Sequence, residues 1–346
     1  MSKIFSRSFR VRWSETNALG QVDITSYLRY LIETAFDWGS AGQLSLDDIH
    51  ALGQAWVIRE TQFDFFRPLR YDDRFEFTIW LVQWRRVRGT RHFELKMQEG
   101  GEVVARGAQQ VVVLDSQTMR PMSPPEHLLE YYLLEDPRVL PTQPFPRLPE
   151  PPPSAFLTER RVEERDVDEM EIVDNTVYGA YVEEAAARAL ASVGWDPAAL
   201  KTAGLAVRYR RVHLEYRSPA VWGDRLQVST YLLRLGETGG DWVVAVRRMD
   251  DGVGIMNAVL GWDLVDRASG ESRWLPETLA AALADRVVAT TGSVVADGRS
   301  MLRQGGTARR CSPGRNSHKQ SSASWNICCV VAASAGVAKE WVGPSW

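Results

Sequence analysis

Asn17-Ala18-Leu19-Gly20-Gln21-Val22-Asp23-Ile24-Thr25-Ser26-Tyr27-Leu28-Arg29-Tyr30-Leu31-Ile32-Glu33 decides how this chain is read, because the stretch occurs twice. Adding 151 to each number gives Asp168-Glu169-Met170-Glu171-Ile172-Val173-Asp174-Asn175-Thr176-Val177-Tyr178-Gly179-Ala180-Tyr181-Val182-Glu183-Glu184. Val22 meets Val173, Tyr27 meets Tyr178, Tyr30 meets Tyr181 and Glu33 meets Glu184. The offset continues downstream without a gap. Gly53 meets Gly204, Arg59 meets Arg210, Pro68 meets Pro219, and Asp115 meets Asp266. A period this long, kept through turns and charges, marks a duplicated domain, since solenoid repeats are far shorter.

The bulk numbers agree. A chain of 346 residues has room for two ordinary domains. Pro141 to Pro153 holds seven prolines and reads as a stiff linker. The expected layout is a first domain over 1–138, a Pro-rich linker over 139–156, a second domain over 157–285 and a poorly ordered tail over 286–346. The tail is rich in Gly, Ser, Arg and Ala and has no sustained period. Its three cysteines, Cys311, Cys328 and Cys329, leave the two copies with none, which fits a reducing cytoplasm. The net charge of -3 argues against a nucleic-acid binder, and no apolar run is long enough to span a membrane.

Locally, Phe9-Arg10-Val11-Arg12-Trp13 alternates like a short strand. From Ile24, apolar residues recur at helical spacing (Leu28, Leu31, Ile32, Ala35, Phe36), which predicts a helix to about Ser40. After Gly53 the period becomes two, with strands expected over 56–65, around Phe75 to Ile79, around Phe93 to Met97 and over 103–114. The second copy repeats this order, with its helix from about Asn175. One long apolar helix followed by a run of strands is an α+β pattern: an antiparallel sheet curled around the helix.

No Gly-x-Ser-x-Gly elbow, Walker A loop, dinucleotide fingerprint or His-Glu-x-x-His motif occurs, and the histidines share no repeated position. Carboxylates, amides and backbone dipoles are left to do any chemistry. Glu15-Thr16-Asn17-Ala18-Leu19-Gly20-Gln21-Val22, followed by Tyr27-x-x-Tyr30-x-x-Glu33, resembles the signature of hotdog-fold thioesterases of the 4-hydroxybenzoyl-CoA type. The second copy, with Leu214-Glu215-Tyr216-Arg217 and Trp222-Gly223-Asp224, resembles the second hotdog of plant acyl-acyl-carrier-protein thioesterases. The resemblance covers roughly residues 5 to 285.

The resemblance implies a tandem double hotdog, paired edge to edge within one chain, that hydrolyses fatty acyl thioesters of CoA or acyl carrier protein without a cofactor or metal. Further homo-oligomerisation is left open. The alternative is a non-catalytic acyl-thioester-binding protein. The family's catalytic acid falls on Asp168 in copy two and on Asn17 in copy one; its loop glycine is Gly20 in copy one and Glu171 in copy two; its histidine becomes Gln21 and Ile172. Asp168, Asn17 and Gly20 are therefore the catalytic candidates. Gln21, Asp23, Glu33, Asp174, Asn175 and Glu184 are candidates for substrate binding. Asp23 and Asp174 also read as helix N-caps, and Glu33 and Glu184 as hydrogen-bonding structural carboxylates. Arg85, Arg86, Arg88 and Arg91 read as a solvated hairpin, or else as contacts for CoA phosphates or an acidic carrier. The acyl chain is expected beside a long helix, near Leu28, Leu31, Trp56 and Val207.

Overall fold

The computed structural model describes residues 3–42 and 44–288. Of the expected tail only 286–288 are described, and they are packed rather than loose: Arg286 donates to the Ala189 carbonyl at 2.9 Å and Val288 is buried. The rest of it and all three cysteines lie outside the described residues.

Copy one runs β1 (Ile4–Arg10), α1 (Ile24–Ala41), α2 (Leu46–Ala51), β2 (Gln54–Phe65), β3 (Arg74–Arg85), β4 (Arg88–Met97), β5 (Val103–Asp115) and α3 (Glu126–Tyr132). Copy two repeats it: β6 (Phe156–Arg161), α4 (Val177–Ala191), α5 (Pro197–Thr202), β7 (Leu205–Tyr216), β8 (Arg225–Leu235), β9 (Gly239–Arg248), β10 (Gly254–Asp266) and α6 (Glu277–Ala284). The ten strands form one sheet in the order β1-β3-β4-β5-β2-β7-β10-β9-β8-β6, antiparallel at every pairing. The expected α+β class and the pairing of the copies edge to edge are both observed.

The seam is β2 against β7. Glu60 pairs with Glu215, Gln62 with His213 and Asp64 with Arg211. Under the offset of 151, Gln62 and His213 are the same position, and the pairs on either side exchange places. That self-complementary register is the mark of a two-fold relation, here between two halves of one chain. α1 and α4 pack against each other. Gly179 lies so close to Thr25 that a Cβ there would come within 2.8 Å of the Thr25 amide nitrogen.

The strand expected at Phe9 to Trp13 begins earlier and ends at Arg10. Its alternation carries on through Val11 and Trp13, but the chain already turns there. The Arg12 amide donates to Glu15 Oε2 at 2.6 Å, closing a 3₁₀ turn over Trp13–Glu15 that leaves Trp13 exposed. The second helix starts at Val177, two residues later than expected. Asp174 does not cap it as foreseen: its Oδ1 accepts from the Thr176 amide at 2.6 Å, ahead of the first turn. Asp23 does cap α1, accepting from the Ser26 amide at 2.7 Å.

The linker is a strap across the face of the sheet opposite the helices. Along β4, Arg91 faces the helix side, so its neighbour His92 faces the other way. His92 Nδ1 accepts from the Leu140 amide at 3.0 Å. Farther on, the Gln143 amide donates to Gln62 Oε1 at 3.2 Å, the Phe145 ring meets His213 edge-on, and Tyr231 donates to the Pro149 carbonyl at 2.8 Å. The strap thus passes from β4 over the seam to β8.

Candidate functional site

In each copy a tyrosine on the long helix ties down the loop that precedes it. Tyr30 donates to Glu15 Oε2 at 2.6 Å, and Tyr181 donates to Asp166 Oδ2 at 2.8 Å, the same two positions 151 apart. Within the copy-one loop, Asn17 Oδ1 accepts from the Leu19 amide at 2.9 Å and from the Gln21 amide at 3.3 Å. Gly20 supplies the left-handed turn, with φ of +68°. Copy two needs the same turn, and Glu171 makes it at φ +61° without the freedom of glycine. This loop delivers the chain to the first turn of α1, where unpaired amides and the helix dipole favour a negative group.

The group that meets it comes from the other copy. The Ile24 amide donates to Glu183 Oε2 at 3.2 Å. Burial, together with the charge of Asp23, pushes the Glu183 carboxyl up to about 8, although the Ile24 hydrogen bond pulls the other way. The cleft beside it holds about 750 Å3 between α4, α5 and β7, with Asn17, Leu19 and Asp23 of the copy-one loop at its end. Leu190, Trp195, Leu200 and Val207 make its walls largely apolar. Tyr209 closes it from the sheet; burial and the neighbouring Glu183 raise its hydroxyl above the ordinary tyrosine value. Lys201 and Arg267 stand exposed on its wall, and Arg70 stands exposed in the adjoining hollow, which shares Leu19 and Arg267 with it. A half-buried carboxyl, a helix N-terminus and an apolar cleft thus converge on one point.

The structure brings Asn17, Gln21 and Asp23 to this point, with Gly20 turning the loop that carries them. Asp168 is not on the cleft wall. It is half-buried, which raises its carboxyl, and its Oδ1 accepts from the Met170 amide at 2.9 Å within its own loop. Asn175 is buried ahead of α4, and its carbonyl accepts from Tyr216 at 3.2 Å. Glu33 lies on the surface, 3.2 Å from Arg7. Glu184, at the cleft edge, pairs with Arg160 at 3.0 Å and Arg188 at 2.6 Å. Arg85 and Arg86 are exposed at the hairpin turn. Arg91 is not part of that solvated hairpin. The turn closes between Arg85 and Arg88, so Arg91 lies within β4 and points inward. Leu28 and Leu31 pack into the core, whereas Trp56 and Val207 do line cavities.

Sequence reasoning missed Glu183. The signal was available: Gly179, Val182, Glu183, Ala186 and Leu190 form one helical stripe, and copy one has Ile32 where this stripe has Glu183. A lone carboxylate on a buried stripe asks for a partner or a use. Among the described residues, no group of three or more His, Cys, Asp or Glu is placed to hold a metal ion, and no helix is long and apolar enough to cross a membrane.

Two curled half-sheets joined at one seam, each around its own long helix, define a tandem hotdog. The thioesterase-like superfamily pattern matches residues 11–131 and again 162–283, one match per copy. The chain belongs to the thioesterase-like superfamily. The fold is similar to an acyl-ACP thioesterase from Bacteroides thetaiotaomicron, with a TM-score of 0.62 at 15% identity over 76% of this chain and 100% of that one. It is equally similar to the 12:0-ACP thioesterase from Umbellularia californica, with a TM-score of 0.62 at 17% identity over 76% and 98%. A Lactobacillus plantarum protein provisionally assigned as an oleoyl thioesterase gives 0.64 at 16% identity over 75% and 96%. No curated protein sequence matches the chain.

Proposed function

We propose that this protein hydrolyses acyl thioesters of CoA or acyl carrier protein to the free acid and thiol, and that Glu183 is the general base. The single observation that carries the proposal is the Glu183 carboxyl held 3.2 Å from the first-turn amide of α1 at the end of an apolar cleft. A thioester whose carbonyl oxygen takes the Ile24 amide places its carbonyl carbon beside that carboxylate. The ionised carboxylate takes a proton from water, the water oxygen adds to the carbon, and the amide and helix dipole hold the oxyanion; collapse of this adduct breaks the C–S bond, and the Glu183 carboxyl hands its proton to the leaving thiolate. Asn17, Gly20 and Gln21 shape the loop that aims the amide, and Asp23 caps the helix. The acyl chain lies along Leu190, Leu200 and Val207. The phosphorylated end of the carrier leaves past Arg70, Lys201 and Arg267, which takes over the part foreseen for Arg85 and Arg86. Two copies free of cysteine suit a cytoplasmic setting.

Thiol release from a panel of acyl-CoA and acyl-carrier-protein substrates tests the reading. Glu183→Gln should lower kcat roughly 100- to 10,000-fold, while Asp168→Asn stays near wild type. The reverse result moves the site to the copy-two loop. No turnover on any substrate, with binding retained, makes the protein the non-catalytic acyl-thioester binder.

A further inference from the structure

The cleft that holds Glu183 has a counterpart in copy one, and the two have diverged. Ile32, Phe36, Leu44, Ile49, Trp56 and Ile58 line a cavity of about 100 Å3 in copy one. Their equivalents 151 residues on (Glu183, Ala187, Trp195, Leu200, Val207 and Tyr209) all line the copy-two cleft. The copy-one cavity has no carboxylate on its helix side. It has instead a guanidinium on its sheet side, that of Arg91.

Arg91 belongs to a polar trio spread over three neighbouring strands. Its Nε donates to Gln109 Oε1 at 2.7 Å, its Nη2 reaches the same oxygen, and Gln109 Nε2 donates to Thr61 Oγ1 at 3.0 Å. Gln109 and Thr61 are buried. The equivalent positions in copy two are Trp242, Leu260 and Val212, each fully buried and apolar. The fold therefore does not need a charge here. Among the described residues, no carboxylate lies within ion-pair distance of Arg91, and its hydrogen bonds to the neutral Gln109 leave the charge uncompensated. Arg91 is half-buried and keeps part of its surface toward the cavity. Holding an unpaired charge that far from bulk water is costly, and a structure keeps one when something neutralises it. Burial alone draws the guanidinium down to about 10, so it remains charged at neutral pH.

We infer that the copy-one cavity binds a carboxylic acid with a short apolar tail, its carboxylate on Arg91. A guanidinium in a fixed fork matches a carboxylate, and the aromatic and aliphatic walls exclude an ionic tail. The volume limits that tail. An apolar cavity of about 150 Å3 takes up benzene, so about 100 Å3 suits a tail of about four carbons beyond the one next to the carboxylate. Phe36, partly exposed, stands at the rim. The inference is independent of the hydrolytic reading, since it concerns a cavity without Glu183.

Calorimetric titration of the full-length protein with hexanoate and with hexanamide tests it. The two probes match in shape, and hexanamide lacks the charge. Hexanoate should bind at one site, about 10-fold or more tighter than hexanamide. Arg91→Met should abolish that preference. Because it leaves the buried Gln109 Oε1 without its donor, it is paired with Gln109→Leu, the residue copy two has at that position, which removes donor and acceptor together. The double variant should also leave thiol release unchanged, because the hydrolytic cleft is the other one. Equal binding of the two probes by the wild-type protein, no binding at millimolar hexanoate, or full hexanoate affinity in the double variant each overturns the inference. The first two need no variant.

Discussion

Replacing Glu183 with Gln should make the protein progressively more stable than wild type as pH rises above about 4.5 and leave it unchanged below that. The carboxyl stands at about 8 in the fold, against an ordinary 4.5. Between those values the unfolded chain has released this proton and the folded chain still holds it. The unfolded state then binds fewer protons, so stability falls as pH rises. The favourable contribution is complete below pH 4.5 and is gone once pH passes about 8. One pKa unit is worth about 1.4 kcal/mol. The destabilisation owed to Glu183 is therefore about 3 kcal/mol at pH 7 and about 5 kcal/mol at pH 8.5. Glutamine keeps the shape, carries no charge at any pH and still accepts from the Ile24 amide. The assay is urea unfolding of wild type and Glu183→Gln at pH 4.5, 7 and 8.5. Every other titrating group is common to both proteins and cancels in the difference. The variant's advantage should grow from near zero to several kcal/mol across the series. A difference that stays flat over the whole range shows that Glu183 titrates near its ordinary value, and the account of the half-buried carboxyl fails.

The same carboxyl must be ionised to act as a base, so kcat/KM for thiol release should rise with pH and level off near pH 8. A profile already flat from pH 6 would exclude Glu183 as the base. Reversing the charge of Arg70 and Arg267 to Glu should raise KM for acyl-CoA and leave KM for a short uncharged thioester alone; equal shifts on both would remove these arginines from carrier binding. Gly179→Val drives a Cβ onto the Thr25 backbone and should cost about 1–3 kcal/mol in urea unfolding. Glu171→Gly relieves a left-handed turn and should stabilise by about 1 kcal/mol.

Most of the fold was legible because the duplication lets each copy check the other. Strand alternation after Gly53 and the apolar stripe from Ile24 recur at the same offset, and β2 to β5 and β7 to β10 lie close to where those patterns put them. The first strand slipped because alternation in Phe9 to Trp13 says nothing about where pairing stops; a side chain, Glu15, ends it. The site was less legible for a related reason. The loop motif marks one wall, and Asn17 to Asp23 were readable as such. The carboxylate facing that wall comes from 159 residues away on the partner helix, and pairing across the seam has no signature in either motif. Resemblance drew the eye to Glu33 and Glu184, one helical position beyond the buried stripe, and both ended in surface ion pairs. Arg91 was misread because four arginines close together look solvated; period two within β4 turns this one inward.

The Pro-rich strap changes what mutation can do to the molecule. Five residue pairs hold β2 to β7, a short contact for two separate chains. On one chain the halves meet at an effective concentration set by the strap, whatever the dilution of the protein. In a homodimer any change at one cleft is copied into the other by symmetry. Here position 32 is Ile while position 183 is Glu, and position 91 is Arg while position 242 is Trp. Covalent linkage releases the two clefts from that identity, so that one can hold a carboxylate while its twin holds a cation.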